Sequence, residues 1–353
     1  MSNTLFSRAP RMAAAFCFTA AFLAATATSV NAQTGYSETR LVSDVPGQAQ
    51  FTDPNLVNPW GLAAVNAGDW WVSDNNSGLT TLYDGNGNIQ SLVVTVPPGS
   101  SDPTSKGSPT GIVGNTTSDF GGSFFIFDSE DGTISAWFGA GSTVTQIDKG
   151  TAAVYKGLAM ASMGTVNVLY AANFRAGTVE AYDLDFNPFT LSAGAFTDPK
   201  IPAGYAPFGI QTINGNLYVT FAKQDASKHD QLNGPGLGYV DEFDPTGKLI
   251  MRLQHVAEMN APWGTALAGT NFGTFSGDLL IGNFGSGEIA AFSPTTGKFI
   301  GVVTGSTGKP IVIKGLWALQ FGQGGTSGPT DWLYFTAGPK NEAHGLFGFL
   351  SPL

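Results

Sequence analysis

The stretch "APWGTALAG" (Ala261–Gly269) restates, with changes, "NPWGLAAVNAG" (Asn58–Gly68). A search for the shared kernel, one residue followed by glycine and an apolar run, finds it six times. The matches are "NPWGLAAV" (Gly61), "SPTGIVG" (Gly111), "VYKGLAMA" (Gly157), "APFGIQTI" (Gly209), "APWGTALA" (Gly264) and "VIKGLWAL" (Gly315), at intervals of 50, 46, 52, 55 and 51 residues. A near-constant period of about 50 residues marks a repeat architecture.

Each match leads into a second phrase that alternates apolar with small or polar residues: "DWWVSDN", "SFFIFDS", "NVLYAAN", "NLYVTFA", "DLLIGNF" and "DWLYFTA". A turn then brings a third, from "GLTTLYD" to "GLFGFLS", and several repeats add a fourth, such as "IQSLVVTV" and "KFIGVVTG". Period-2 alternation punctuated by Gly, Asn and Asp reads as half-buried strands. Four antiparallel strands per unit is a propeller blade, so the chain is expected to be all-β, a six-bladed β-propeller. The sixth unit stops after three strands at "GLFGFLSPL", while "TRLVSDVPG" (Thr39–Gly47) precedes the first unit unassigned. The N-terminal strand is therefore expected to complete the last blade and close the ring, which leaves no bare sheet edge at the junction.

Residues 1–32 read as a cleaved secretory signal peptide. Arg8 and Arg11 begin it, an apolar run covers Met12–Ala27, and small residues at Val30 and Ala32 precede Gln33. Residues 33–353 are then one propeller domain, expected to be secreted or periplasmic, without a membrane span and monomeric. Removing the signal takes two arginines and no acid, moving the net charge from −10 to −12, and it also removes Cys17, the sole cysteine. The exported chain thus has neither disulfides nor thiolate chemistry. Its acidic balance argues against nucleic-acid partners, which need clustered Lys and Arg. Glycine (47 residues), 12% aromatics and only 12% charged residues suit turn-rich β structure.

In a propeller the loops that lead into first strands, and those that join second to third strands, share one face. The residues before the repeat glycines are Trp60, Thr110, Lys156, Phe208, Trp263 and Lys314. Those at the ends of the second strands include Asp74 with Asn75, Asp128, Asn173 and Asn283. Together they outline a ligand mouth in which aromatic faces could stack on a sugar or planar ring. Aromatics beside glycine more commonly fill blade packing, and Asp or Asn at strand ends more commonly serve turns. Asp74, Asp128, Asn173 and Asn283 are also the candidate oxygen ligands for calcium or another divalent cation, should four blades bring them together. No cofactor is required by any motif.

Two longer second-to-third-strand connections, "AKQDASKHDQLNGPG" and "AGPKNEAHG", carry His229 and His344, with Glu342 beside the latter. Imidazole plus carboxylate over a channel is the candidate acid–base chemistry. There is no G-x-S-x-G elbow, no P-loop and no metal-spaced His or Cys pair. Asp241 and Glu242 fall on opposite faces of one strand, which suits no glycosidase couple. The reading is a module that binds a small molecule, glycan or extracellular protein at the channel mouth. The alternative is a hydrolase or lyase at the same place, and a purely structural role differs from the first mainly in its partner.

The "P-x-G-[LI]" start, "LYV-x-[DN]" and "G-x-[IV]-x-x-[YF]" resemble NHL-type propeller repeats. "SGDLLIGNFGSGEIAAFSPTTGK" and "DWLYFTAGPKNEAHGLFG" resemble more closely an uncharacterised family of exported bacterial propellers, some of which end in a PEP-CTERM sorting tail. The resemblance spans the whole exported chain and implies fold and export, without assigned catalytic residues. "LSPL" at the end carries no such tail, and the blades are longer than short NHL repeats. Six-bladed propellers also include calcium-dependent lactonases and antibiotic lyases, but a lactonase-like site wants an acid at a first-strand start, where this chain has none.

Overall fold

A computed structural model describes residues 1–6 and 34–353. Residues 7–32 of the expected signal sequence, including its apolar run, lie outside the described residues. Gln33–Leu353 is one compact unit. It opens with β1 (Tyr36–Ser43) and a two-residue strand parallel to it, β2 (Phe51–Thr52). Blade one follows as β3 (Pro59–Ala63), β4 (Trp70–Asp74), β5 (Leu79–Tyr83) and β6 (Val94–Thr95). Blade two is β7 (Pro109–Gly114), β8 (Phe125–Ser129), β9 (Thr133–Trp137) and β10 (Val144–Asp148). Blade three has only β11 (Tyr155–Met163), β12 (Val166–Asn173) and β13 (Thr178–Tyr182). Its fourth strand is reduced to one bridge, Tyr182 with Pro188.

Blade four is β14 (Tyr205–Ile213), β15 (Asn216–Gln224), the two-residue β16 (Gln231–Leu232), β17 (Gly238–Phe243) and β18 (Leu249–Arg252). Blade five is β19 (Pro262–Leu267), β20 (Leu279–Asn283), β21 (Ile289–Phe292) and β22 (Phe299–Val302). Blade six is β23 (Leu316–Phe321), β24 (Leu333–Ala337) and β25 (Leu346–Pro352), and β1 completes it. β1 pairs antiparallel with β25 from Tyr36 opposite Pro352 to Ser43 opposite Leu346. The ring is closed as the sequence predicts.

All six first strands break register at the same place, between Pro59 and Leu62 in blade one and between Leu316 and Leu319 in blade six. Each break is a β-bulge, which frees a backbone N–H from the ladder. The residue in it must be small because the next blade's first strand presses on it. A Cβ on Gly61 would lie 2.5 Å from the Thr110 carbonyl oxygen. Side chains of the second strands take up several freed amides: Gly111 N–H donates to Asp128 Oδ1 at 2.6 Å, Gly209 to Thr220 Oγ1 at 2.7 Å and Ala318 to Thr336 Oγ1 at 3.0 Å.

This register corrects two assignments. In blade six the bulge residue is Ala318 and the residue before it is Trp317, so Lys314 lies three residues outside the ring it was placed in. In blade two the residue opposite the first-strand proline is Ser129, not Asp128. Side chains alternate along a strand, so Asp128 points into the blade junction rather than to the mouth. Interdigitated apolar faces hold the blades together. Trp70, fully buried, packs on Tyr334 at 5.0 Å across the blade one–six junction and donates its indole N–H to the Ser327 carbonyl at 2.9 Å. Each such buried side chain contributes about 1.5–3 kcal/mol.

Candidate functional site

The residues before the bulges converge on the axis, where Trp60, Lys156, Phe208, Trp263 and Trp317 meet. Trp60 and Trp317 stack, and Trp263 stands edge-on to both at 6.1 and 5.9 Å. Phe208 lies 5.9 Å from Trp317, while Phe284 stacks on the same indole at 4.2 Å. Trp60 is 1% exposed and Lys156 is fully buried. Four of the predicted mouth residues therefore do come together, but as a plug that fills the mouth. Beneath it runs a narrow channel walled by Leu62, Ile112, Leu158, Ile210 and Leu319, which widens to about 190 Å³.

Lys156 carries its charge up through the plug. Its Nζ lies over the faces of Trp60 at 5.0 Å and Phe174 at 6.0 Å, pairs with Glu130, and reaches Asp230 Oδ1 at 3.4 Å. Glu130 also accepts from Asn75 Nδ2 at 2.9 Å, and Asn75 Oδ1 accepts from Asn58 Nδ2 at 3.3 Å. The same Asn58 amide donates to Glu342 Oε2 at 3.1 Å, and Asn58 Oδ1 accepts the Trp317 indole N–H at 3.0 Å. His229 Nδ1 lies 2.9 Å from Asp230 Oδ1 and ends the chain. One network thus spans five blades, with three carboxylates facing a single ammonium.

The electrostatics follow from that imbalance. Burial raises the Glu342 carboxyl, and the charges of Glu130 and Asp230 add to it. The hydrogen bond with His229 holds Asp230 down at about 2, and the same bond raises the His229 imidazole. Glu130, His229 and Asp230 each offer a ligand atom within 4.8 Å of one another. The Lys156 ammonium already lies against both carboxylates, so a metal ion here would have to displace it.

The strand-end candidates are built into their own blades. Asn173 Oδ1 accepts from Val154 and Ala176 N–H, and its amide donates to Glu180. Asn283 accepts from Asn260 N–H and donates to the Ile281 and Glu288 carbonyls. Asp74, fully buried, accepts from Thr81 Oγ1 at 2.8 Å, and burial holds its carboxyl well above the usual range. Asp128 is fastened to Thr110 and Gly111. These four do not share a point, whereas Asn75 does join the axial network. His229 and His344 part company as well, since His344 Nδ1 pairs with Asp44 Oδ2 at 2.8 Å.

Open space on this face lies at blades five and six. A cleft of about 420 Å³ is lined by Asn233, Phe284, Ser286, Val312, Lys314 and Lys340, among others. A second, of about 390 Å³, shares Val312, Lys314 and Lys340 with it and extends to Arg40, Gln48 and His344. Both volumes suit small-ligand sites, which run from roughly 300 to 1,000 Å³. Sequence reading missed Trp317, Glu130, Asn58, Asn233 and Ser286. Trp317 alone had a signal, since "LWAL" repeats the "PWGL" pattern with alanine in the glycine position.

"Uncharacterized protein R648" of Acanthamoeba polyphaga mimivirus is 30% identical over 334 residues, covering 87% of this chain and 78% of that protein. "Uncharacterized protein L690" of the same virus is 31% identical over 332 residues, covering 88% and 84%. The chain belongs to the family of these two proteins. No family model matches it. Among solved structures, the family fold is similar to the soluble aldose sugar dehydrogenase of Escherichia coli (TM-score 0.57, 13% identity, 90% of this chain and 100% of that one). It is also similar to virginiamycin B lyase of Staphylococcus aureus (TM-score 0.52, 14% identity, 90% and 99%). At these identities the likeness is one of fold. No helix among the described residues is long and apolar enough to cross a membrane.

Proposed function

We propose that this propeller is an exported ligand-binding module that takes a small molecule into the adjoining clefts of blades five and six. The carrying observation is that the axial mouth is filled by the Trp60–Trp317 plug, while the clefts sharing Val312, Lys314 and Lys340 stand open beside it. The arginines and apolar run before Gln33, and the resemblance to exported NHL-like bacterial propellers, support placement in the periplasm or outside the cell. A glycan or a neighbouring extracellular protein carrying such a group is the class of partner this face suits.

Val312 lines both clefts and is 43% exposed, so Val312→Trp should fill them without disturbing the core. A ligand screen by thermal shift is expected to yield compounds whose effect this variant abolishes. Hits that are indifferent to it would place binding elsewhere. A second reading, a hydrolase or lyase, rests on the contiguous His229, Asp230, Glu130 and Lys156. Any activity found must then fall with His229→Ala, and activity insensitive to that change would remove the reading.

A further inference from the structure

Two glycines stitch together the loops that carry Lys314 and Lys340. Gly338 N–H donates to the Gly315 carbonyl at 2.8 Å. Gly315 adopts φ +73°, and a Cβ there would collide with the Gly338 carbonyl. This stitch explains Gly315, which is not the repeat glycine its sequence context suggests. It places Lys314, one residue before Gly315, and Lys340, two after Gly338, along the same pair of clefts.

The turn that follows arranges the charges. Lys340, Asn341 and Glu342 are consecutive left-handed residues, with φ of 55°, 55° and 66°. Each non-glycine residue in that conformation costs on the order of 1 kcal/mol or more, so the surrounding contacts must impose it. In consequence Lys340 and Asn341 line the cleft, while Glu342, the next side chain, bonds to Asn58 in the axial network. The local carboxylate is thereby withdrawn from the site.

In a chain with 26 acids against 16 bases, Lys314 and Lys340 line both clefts, Arg40 and His344 line the second alone, and neither lining includes a carboxylate. Arg40 is engaged by Glu38 at 2.7 Å and His344 by Asp44 at 2.8 Å. Lys314 and Lys340 form no ion pair among the described residues. Two like charges sharing one rim repel, and an anion between them reverses the sign of that interaction. Asn233, Ser286 and Asn341 add neutral hydrogen-bonding groups. The half-buried ring of Phe284, backed by Trp317, adds an apolar wall.

We infer that the clefts bind a small polyhydroxylated anion, a sugar acid or sugar phosphate. Its anionic group lies between Lys314 and Lys340, and its hydroxylated body lies against Asn233, Ser286 and Asn341. The inference rests on the cleft-binding reading above and adds the chemical class.

The test is calorimetric titration of the exported chain with glucuronate, glucose 6-phosphate and neutral glucose. Both anions, or one of them, are expected to bind, with glucose much weaker. Binding of glucuronate alone assigns the group as a carboxylate, and of glucose 6-phosphate alone as a phosphate. Lys314→Gln with Lys340→Gln should weaken binding roughly tenfold or more, the loss expected for a charge-assisted hydrogen bond. Both lysines are exposed, so the fold should persist, and Lys149→Gln, in the connection between blades two and three, serves as a charge control. Failure of both anions to bind, equal binding by the double variant, or equal binding of glucose overturns the inference. If glucose binds as well as the anions and Val312→Trp abolishes all three, the cleft stands and only the anionic class falls.

Discussion

Trp317 stacks on Trp60 across the junction of the last and first blades, ring centroids 3.5 Å apart and planes 19° apart. Both precede the bulges of their first strands, so the stack forms only when the ring has closed. Trp317→Ala removes the stack, its contacts with Phe284 and Phe208, and the donor to Asn58. The expected loss is about 3–5 kcal/mol, read from the urea midpoint at unchanged slope. Trp317→Phe should cost less, about 1–3 kcal/mol, chiefly because Asn58 Oδ1 loses its partner. A loss below about 1 kcal/mol for the alanine variant would mean that the plug does not hold the junction.

Lys156→Met tests the axial network. The methionine fills similar space but leaves Glu130 and Asp230 without their cation. Removing one partner of a buried pair costs about 3–5 kcal/mol, and the lower end is expected because Asp230 is 63% exposed while Lys156 is only 1% exposed. The penalty should shrink in a Glu130→Gln background, where one of the two stranded carboxylates is already neutral. An equal penalty in the native and Glu130→Gln backgrounds would show that packing, rather than charge, is what Lys156 supplies.

His229 should titrate above the ordinary histidine value of about 6.5, because its hydrogen bond to Asp230 favours the imidazolium. A group raised on folding adds stability that is present below the unfolded value and is lost as pH rises through the folded one. Proton NMR of the imidazole ring gives the midpoint directly. Asp230→Asn should bring it down toward the ordinary value, and an unmoved midpoint would refute the Asp230 assignment.

The blades were legible because their geometry constrains local sequence. A bulge pressed by the next blade demands a small residue, and that demand recurs every fifty or so residues. The sixth repeat misled because Ala318 fills the bulge while Gly315, three residues earlier, supplies a glycine for an unrelated turn. Asp128 misled through a single step along a strand, which exchanges mouth for blade junction. Lys156 was found as a member of the axial ring, but its partners Glu130 and Asp230 come from turns in two other blades. Nothing in a one-dimensional pattern pairs them. The clefts arise where the loops around Lys314 and Lys340 are stitched together, a relation between segments that share no repeat position.

Asp128 gives the protein a pH dependence opposite to that of an exposed carboxylate. Burial raises it to about 7 against the bonds from Thr110 and Gly111, and its Oδ2 has no partner. From about pH 4, where the unfolded chain ionises, to about 7, the folded state holds a proton that the unfolded state has released. Stability therefore falls as pH rises through that window, on the order of 3–4 kcal/mol from this residue by pH 8. Asp128→Asn keeps the acceptor for Gly111 and Thr110 and replaces only the unpartnered oxygen. The variant should match the native chain near pH 4, exceed it in stability at pH 8, and show a shallower decline between. Urea midpoints at half-unit pH intervals measure the two curves, and parallel curves would mean that Asp128 is ionised in the folded state after all.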